Sequence, residues 1–109
     1  MPYDEALDNR IQSVIRNWEP TQSKKMFGGV CHLLDGNMFC GVHKAFLILR
    51  LGEPAAKQAM EHPSVHPFDI TGRAMKGWVM VEPDGCRDRE TLANWLRKAR
   101  RFVKTLPPK

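Results

Sequence analysis

Leu92, Trp95, Leu96, Ala99, Phe102, Val103 and Leu106 recur at spacings of three and four, which at about 100° per residue gathers them on roughly a third of a helical wheel. Arg97, Lys98, Arg100, Arg101 and Lys104 occupy the remainder. A helix divided this cleanly has to bury its apolar stripe, so the residues before it must supply an apolar surface. Asp88 stands where an N-cap belongs, Glu90 lies in the first turn, and Pro107-Pro108 stop the segment. At the other end of the chain, Leu7, Ile11, Val14, Ile15 and Trp18 form a second stripe. They predict a helix over about residues 4–18, capped by Asp4 and ended before Pro20.

Between these helices the period changes. From Lys25 to Leu51, β-branched, aromatic and small residues run in short stretches broken at Asp35-Gly36 and His43-Lys44. Asp-Gly between apolar runs is a strong hairpin signal, because a type I′ turn needs positive φ at both central residues. The reading is three antiparallel strands, about 26–34, 37–43 and 46–51. Glu53-Pro54 then open a short helix that Pro63 ends. Val65 to Ile70 suit a brief edge strand, and Lys76 to Glu82 a strand with Trp78, Met80 and Glu82 on one face and Val79 and Val81 on the other. Pro83-Asp84-Gly85 turn the chain into the last helix. The order α-β-β-β-α-β(-β)-α predicts one α+β domain spanning 1–109: two layers, an antiparallel sheet of about four to five strands, helices packed on one face.

The net charge of +5 is unevenly placed: residues 87–109 hold eight Lys or Arg against two acids, net +6, and residues 1–86 hold nine against ten, net −1. A partner drawn by charge is expected at the C-terminal helix. No stretch approaches the ~18 apolar residues of a membrane helix, and the acidic start Met1-Pro2-Tyr3-Asp4-Glu5 is unlike a secretory signal. Three cysteines make no disulfide framework and fit a reducing compartment. A cytoplasmic protein with no membrane partner is expected.

Cys31, His32, Cys40 and His43 carry zinc-ligand chemistry, yet the predicted hairpin sends neighbours to opposite faces, so four ligands do not converge. With Asp35-Gly36 as the loop, Cys31 falls opposite Cys40, as two small packed residues or as a redox-reversible disulfide. His62 and His66 are separated by Pro63, which breaks the helix a shared face needs. Gly36 to Gly41 and Gly72 to Gly77 lack the Lys-Ser/Thr and strand-loop-helix context of a phosphate loop. No nucleophile elbow, metal motif or dinucleotide fingerprint is present, so no catalytic residue, metal or cofactor is expected. Lys24, Lys25, Arg73 and Lys76 make an anion-binding patch only if their segments adjoin. Arg97, Arg101 and Lys104 lie on one line at i, i+4, i+7 and suit a phosphate backbone, or else simply a solvated helix face.

Two glycine-punctuated segments, Lys25-Met26-Phe27-Gly28-Gly29 and Phe68-Asp69-Ile70-Thr71-Gly72-Arg73-Ala74-Met75-Lys76-Gly77-Trp78, complete the pattern. With Tyr3-Asp4-Glu5, Gly36-Asn37-Met38, Cys40-Gly41-Val42 and Leu106-Pro107-Pro108-Lys109, the chain resembles the N-terminal domain of the TfoX/Sxy family of bacterial competence regulators over nearly its whole length. The resemblance implies an α+β domain that helps regulate transcription of DNA-uptake genes alongside the cyclic-AMP receptor protein. Better-known members carry a further C-terminal helical domain; with its last residue at Lys109, this chain is expected to stand alone. The expected function is therefore a non-enzymatic regulatory domain that binds a protein partner, or itself as a homodimer, through a sheet edge or the motif surface. That surface comprises Lys25, Met26, Phe27, Gly28, Gly29, Asp69, Thr71, Gly72, Arg73, Lys76, Gly77 and Trp78, with Met26, Phe27, Met75 and Trp78 as core anchors. Direct nucleic-acid binding through Arg97, Arg101 and Lys104 is the alternative. An anionic small-molecule site or enzyme around Asp69, Thr71, Arg73 and Lys76 ranks third.

Overall fold

The computed structural model describes residues 3–108 except Glu19, Phe27, Ile70, Thr71, Arg73 and Ala74. Its elements run α1 (Glu5–Ile15), β1 (Gln22–Met26), β2 (Gly29–Leu34), β3 (Asn37–His43), β4 (Phe46–Arg50), α2 (Glu53–Ala59), β5 (Val65–Pro67), β6 (Trp78–Val81), a short 3₁₀ turn (Pro83–Cys86) and α3 (Arg89–Val103). All strands join one antiparallel sheet in the order β1-β2-β3-β4-β6-β5. The α+β expectation holds, with six strands where about four to five were expected. The extra strand arises because the predicted run from residue 26 to 34 divides at the Gly28 turn, and the polar segment Gln22–Met26 folds back on it. That segment has no apolar alternation to announce it; its backbone pairing holds it in the sheet.

α1 begins where Asp4 accepts the amide of Leu7 at 3.1 Å, and α3 where Asp88 accepts that of Thr91 at 3.0 Å. The Thr91 hydroxyl also bonds Asp88, and together with that amide it holds the carboxyl below its usual range. α1 is shorter than expected, ending at Ile15 and leaving Trp18 beyond it to tilt against Phe39, ring centroids 6.0 Å apart.

The helices cover one face. Ile11 of α1 and Leu92, Leu96 and Ala99 of α3 meet Val42, Leu47, Leu49, Val79 and Val81 of the sheet in a single core. Arg10 ties α1 to the 3₁₀ turn by donating to the carbonyls of Cys86 and Arg87, and the Trp95 indole donates to Gly85 at 3.0 Å. As the alternation predicts, Val79 and Val81 are buried in the core, and Trp78 and Met80 are only partly buried.

The β2–β3 register departs from the simple hairpin. Leu34 faces Asn37 and Leu33 faces Met38, but an irregularity between His32 and Leu33 then offsets the ladder, so His32 pairs with Cys40 and Cys31 with Gly41. The offset turns Phe39 into the core, where it is fully buried. It also corrects the cysteine expectation: paired residues share a face, so Cys40 lies on the helix side and Cys31 on the other. They do not face each other and cannot be bridged. Both are free and buried, and burial pushes each thiol up, Cys40 furthest, with Asp8 adding to it.

Candidate functional site

The final helix and the second glycine segment meet. Where β4 ends, the Leu51 and Gly52 amides both donate to the Gly77 carbonyl, at 2.8 and 3.1 Å, just before β6 begins. Gly52 and Gly77 have φ of +83° and +85°, and a Cβ on Gly77 would stand 3.3 Å from the Gly52 backbone. Both positions call for glycine because both have positive φ, and at Gly77 a side chain would also crowd the neighbouring backbone. Beside this contact opens a groove of about 850 Å³, bounded by the start of α2, by Lys76-Gly77-Trp78 and by the C-terminal half of α3.

Four Lys and Arg side chains, the rings of Trp78, Trp95 and Phe102, and the imidazole of His62 line it. Arg50 reaches across with its guanidinium 5.4 Å from the Trp78 ring and 5.8 Å from that of Phe102, and Lys98 places its ammonium 5.0 Å from Trp95. Lys76 and Arg101 complete the cationic lining, with Glu53 the sole acid on it among the described residues. The Trp78 ring is backed by buried Phe68, centroids 6.1 Å apart. Such a groove holds anionic groups by its cations and flat apolar ones by its rings, with backbone beneath.

The structure brings together only part of the predicted surface. Lys76, Gly77 and Trp78 line the groove with Arg101. Arg97 points elsewhere, its guanidinium bonded to Asn94, and Lys104 lies outside the lining. On α3 the cationic lining is therefore Lys98 and Arg101, with Lys98 one residue around the helix from the predicted Arg97 and nothing charged in place of Lys104, and it gains Arg50 from β4. Asp69 and Gly72 are exposed and off the groove; Thr71 and Arg73 lie outside the described residues, as does Phe27.

The other motif segment sits at the opposite edge of the sheet. Lys24 and Lys25 are exposed on β1, four strand positions from β6, about 19 Å at the usual strand spacing, so they do not join Lys76 in one patch. Gly29 opens β2 where a Cβ would collide with the Val42 carbonyl at 2.1 Å, a structural requirement rather than a binding one. Met75 is no core anchor, being 41% exposed.

The histidines on either side of Pro63 share no face and have local partners: His66, on β5, lies 2.6 Å from Glu82, and the His62 ring stands T-shaped to that of Trp95. Arg50 and Lys98 were missed by sequence reasoning. Lys98 was visible as a charged position next to Trp95, but no periodicity separates a groove-lining lysine from a solvated one.

The model of the TfoX N-terminal domain matches residues 13–103. The chain belongs to the TfoX N-terminal domain family. The matched span takes in β1 through the end of α3, and with it the whole of the groove up to Phe102. No curated protein and no solved structure matches. No helix among the described residues is long and apolar enough to cross a membrane.

Proposed function

We propose that this TfoX N-terminal domain is a non-enzymatic regulatory module that acts by binding, and that its groove takes a single nucleic-acid strand. The observation that carries this reading is the ring of Arg50, Lys76, Lys98 and Arg101 around Trp78, Trp95 and Phe102. Cations spaced along a groove neutralise successive phosphates and release their counterions, while aromatic faces serve bases only when these are unstacked. A double helix keeps its bases stacked and gains nothing from the rings. Transcription regulation, the family's expected role, follows from such binding.

Self-association through a sheet edge has weaker support. β1, at one edge, carries exposed Lys24 and Lys25, and β5, at the other, spans three residues and ends in Pro67. Lysines and proline are how edges resist pairing.

Fluorescence anisotropy of a labelled oligothymidine and of a duplex of equal length tests the proposal. The single strand is expected to bind more tightly, and with four phosphates neutralised its affinity should fall roughly 50-fold between 50 and 200 mM salt. Charge reversal in K98E or R101E should weaken binding at least about tenfold, and R97E less than about threefold. No binding at low salt, or equal effects at 97, 98 and 101, overturns it.

A further inference from the structure

Away from the groove, α1 and the β1–β2 hairpin enclose a cleft of about 360 Å³ whose lining includes Gln12, Ile15, Arg16, Trp18, Ser23 and His32. Its floor is unusual. His32 is 2% exposed, and its Nε2 lies 2.6 Å from Oδ1 of Asp8, itself 6% exposed. The second oxygen of Asp8 accepts from the Gln12 amide at 2.7 Å. Taking a carboxylate and an imidazole out of water costs more than burying two apolar side chains of similar size, so core packing alone gives no reason for this pair.

The pair fixes what the ring presents. A carboxylate only accepts, so Nε2 carries hydrogen and donates to Asp8. Among the described residues no buried side-chain nitrogen or oxygen lacks a partner, and His32 makes its hydrogen bond through Nε2. Its Nδ1 is therefore open to the cleft that the ring lines. Ser23 sits directly across the ladder from His32 on the same face. Arg16, an exposed residue, is part of the lining, and Trp18 gives a flat wall, steadied by Phe39 at 6.0 Å and by the Arg100 guanidinium at 5.2 Å.

We propose that this cleft is a second binding site, for a small carboxylic acid with a flat apolar body. The carboxyl meets His32 Nδ1, the two sharing one proton, while Arg16 balances the charge and the Ser23 hydroxyl donates to the second oxygen. The body lies on Trp18 and Ile15. Asp8 and Gln12 are positioning residues, holding the imidazole with Nδ1 outward. The volume lies within the range of small-molecule sites, toward its lower end, and sets a limit near one ring and its substituents.

Titration of the ¹⁵N-labelled protein with benzoate, and separately with neutral benzamide, tests this by NMR. Benzoate should give saturable shifts centred on the Trp18 indole and the Gln12 and Ser23 amides, with a Kd on the order of 1 mM or below. Benzamide should bind at least about tenfold more weakly, and R16Q should weaken benzoate by about the same factor, since a charge-assisted contact is lost. S23A should cost about threefold. Both variants are at the surface and leave the Asp8–His32 pair intact. Shifts that never saturate, benzamide binding as well as benzoate, an R16Q protein that binds normally, or saturation at Trp95 and Lys98 instead would each overturn the assignment.

Discussion

Gly52 shows how much one residue can decide. A Cβ there would come within 2.7 Å of the Phe102 ring, and the φ of +83° strains any other residue. G52A is expected to destabilise the fold by about 1–3 kcal/mol, read as a lowered midpoint in urea, and to displace Phe102 from the groove. Loss of oligonucleotide binding beyond that of a variant equally destabilised elsewhere would separate the two effects. The same residue marks a limit of sequence reading. Gly77 stood out inside its motif, but Gly52 lies alone before Glu53-Pro54, and its need for glycine comes from its own positive φ and from Phe102, on a helix 50 residues further along the chain. His32 is a similar case. In the sequence it suggested a metal ligand, and only the packing of α1 onto β2 brings Asp8 to it.

Elements were legible in proportion to how locally they are specified. α3 is divided so strongly that its start at Asp88 and its buried stripe agree with the wheel to within a residue or two. β1 was missed because neither its polar sequence nor its exposed position leaves a periodic trace. The ladder offset at His32 was also invisible, since a hairpin's turn fixes register only until an extra residue enters one strand. Two substitutions probe the elements themselves. D4A removes the cap of α1 and should cost about 1 kcal/mol, measured by urea unfolding. L96A hollows the contact between α3 and the sheet, where Leu96 is fully buried, and should cost about 2–5 kcal/mol with oligonucleotide affinity unchanged at temperatures where the protein stays folded.

At the scale of the whole molecule, the three buried thiols give stability a dependence on alkaline pH. Burial pushes Cys31, Cys40 and Cys86 above their ordinary value of 9.0, against the Arg10 charge in the case of Cys86. Above that value the unfolded chain loses protons the folded one keeps. Stability is therefore complete below about pH 9 and falls as pH rises from there toward the folded values. Urea midpoints should drop between neutral pH and about pH 10, and drop less in C40A, whose most strongly raised thiol is gone. Native thiols should also resist aromatic disulfide reagents until denaturant is added.

The contact of Gly52 on Gly77 has a consequence for how such a domain diversifies. Its floor is main chain joined to main chain, so Lys76, Lys98, Arg101 and Thr105 stand around it without holding it up. Exchange of these side chains changes what the groove selects and leaves the scaffold's folding untouched. A library randomised at the four positions should return mostly folded proteins with altered ligand preference, whereas one randomised at 52 and 77 should return few that fold.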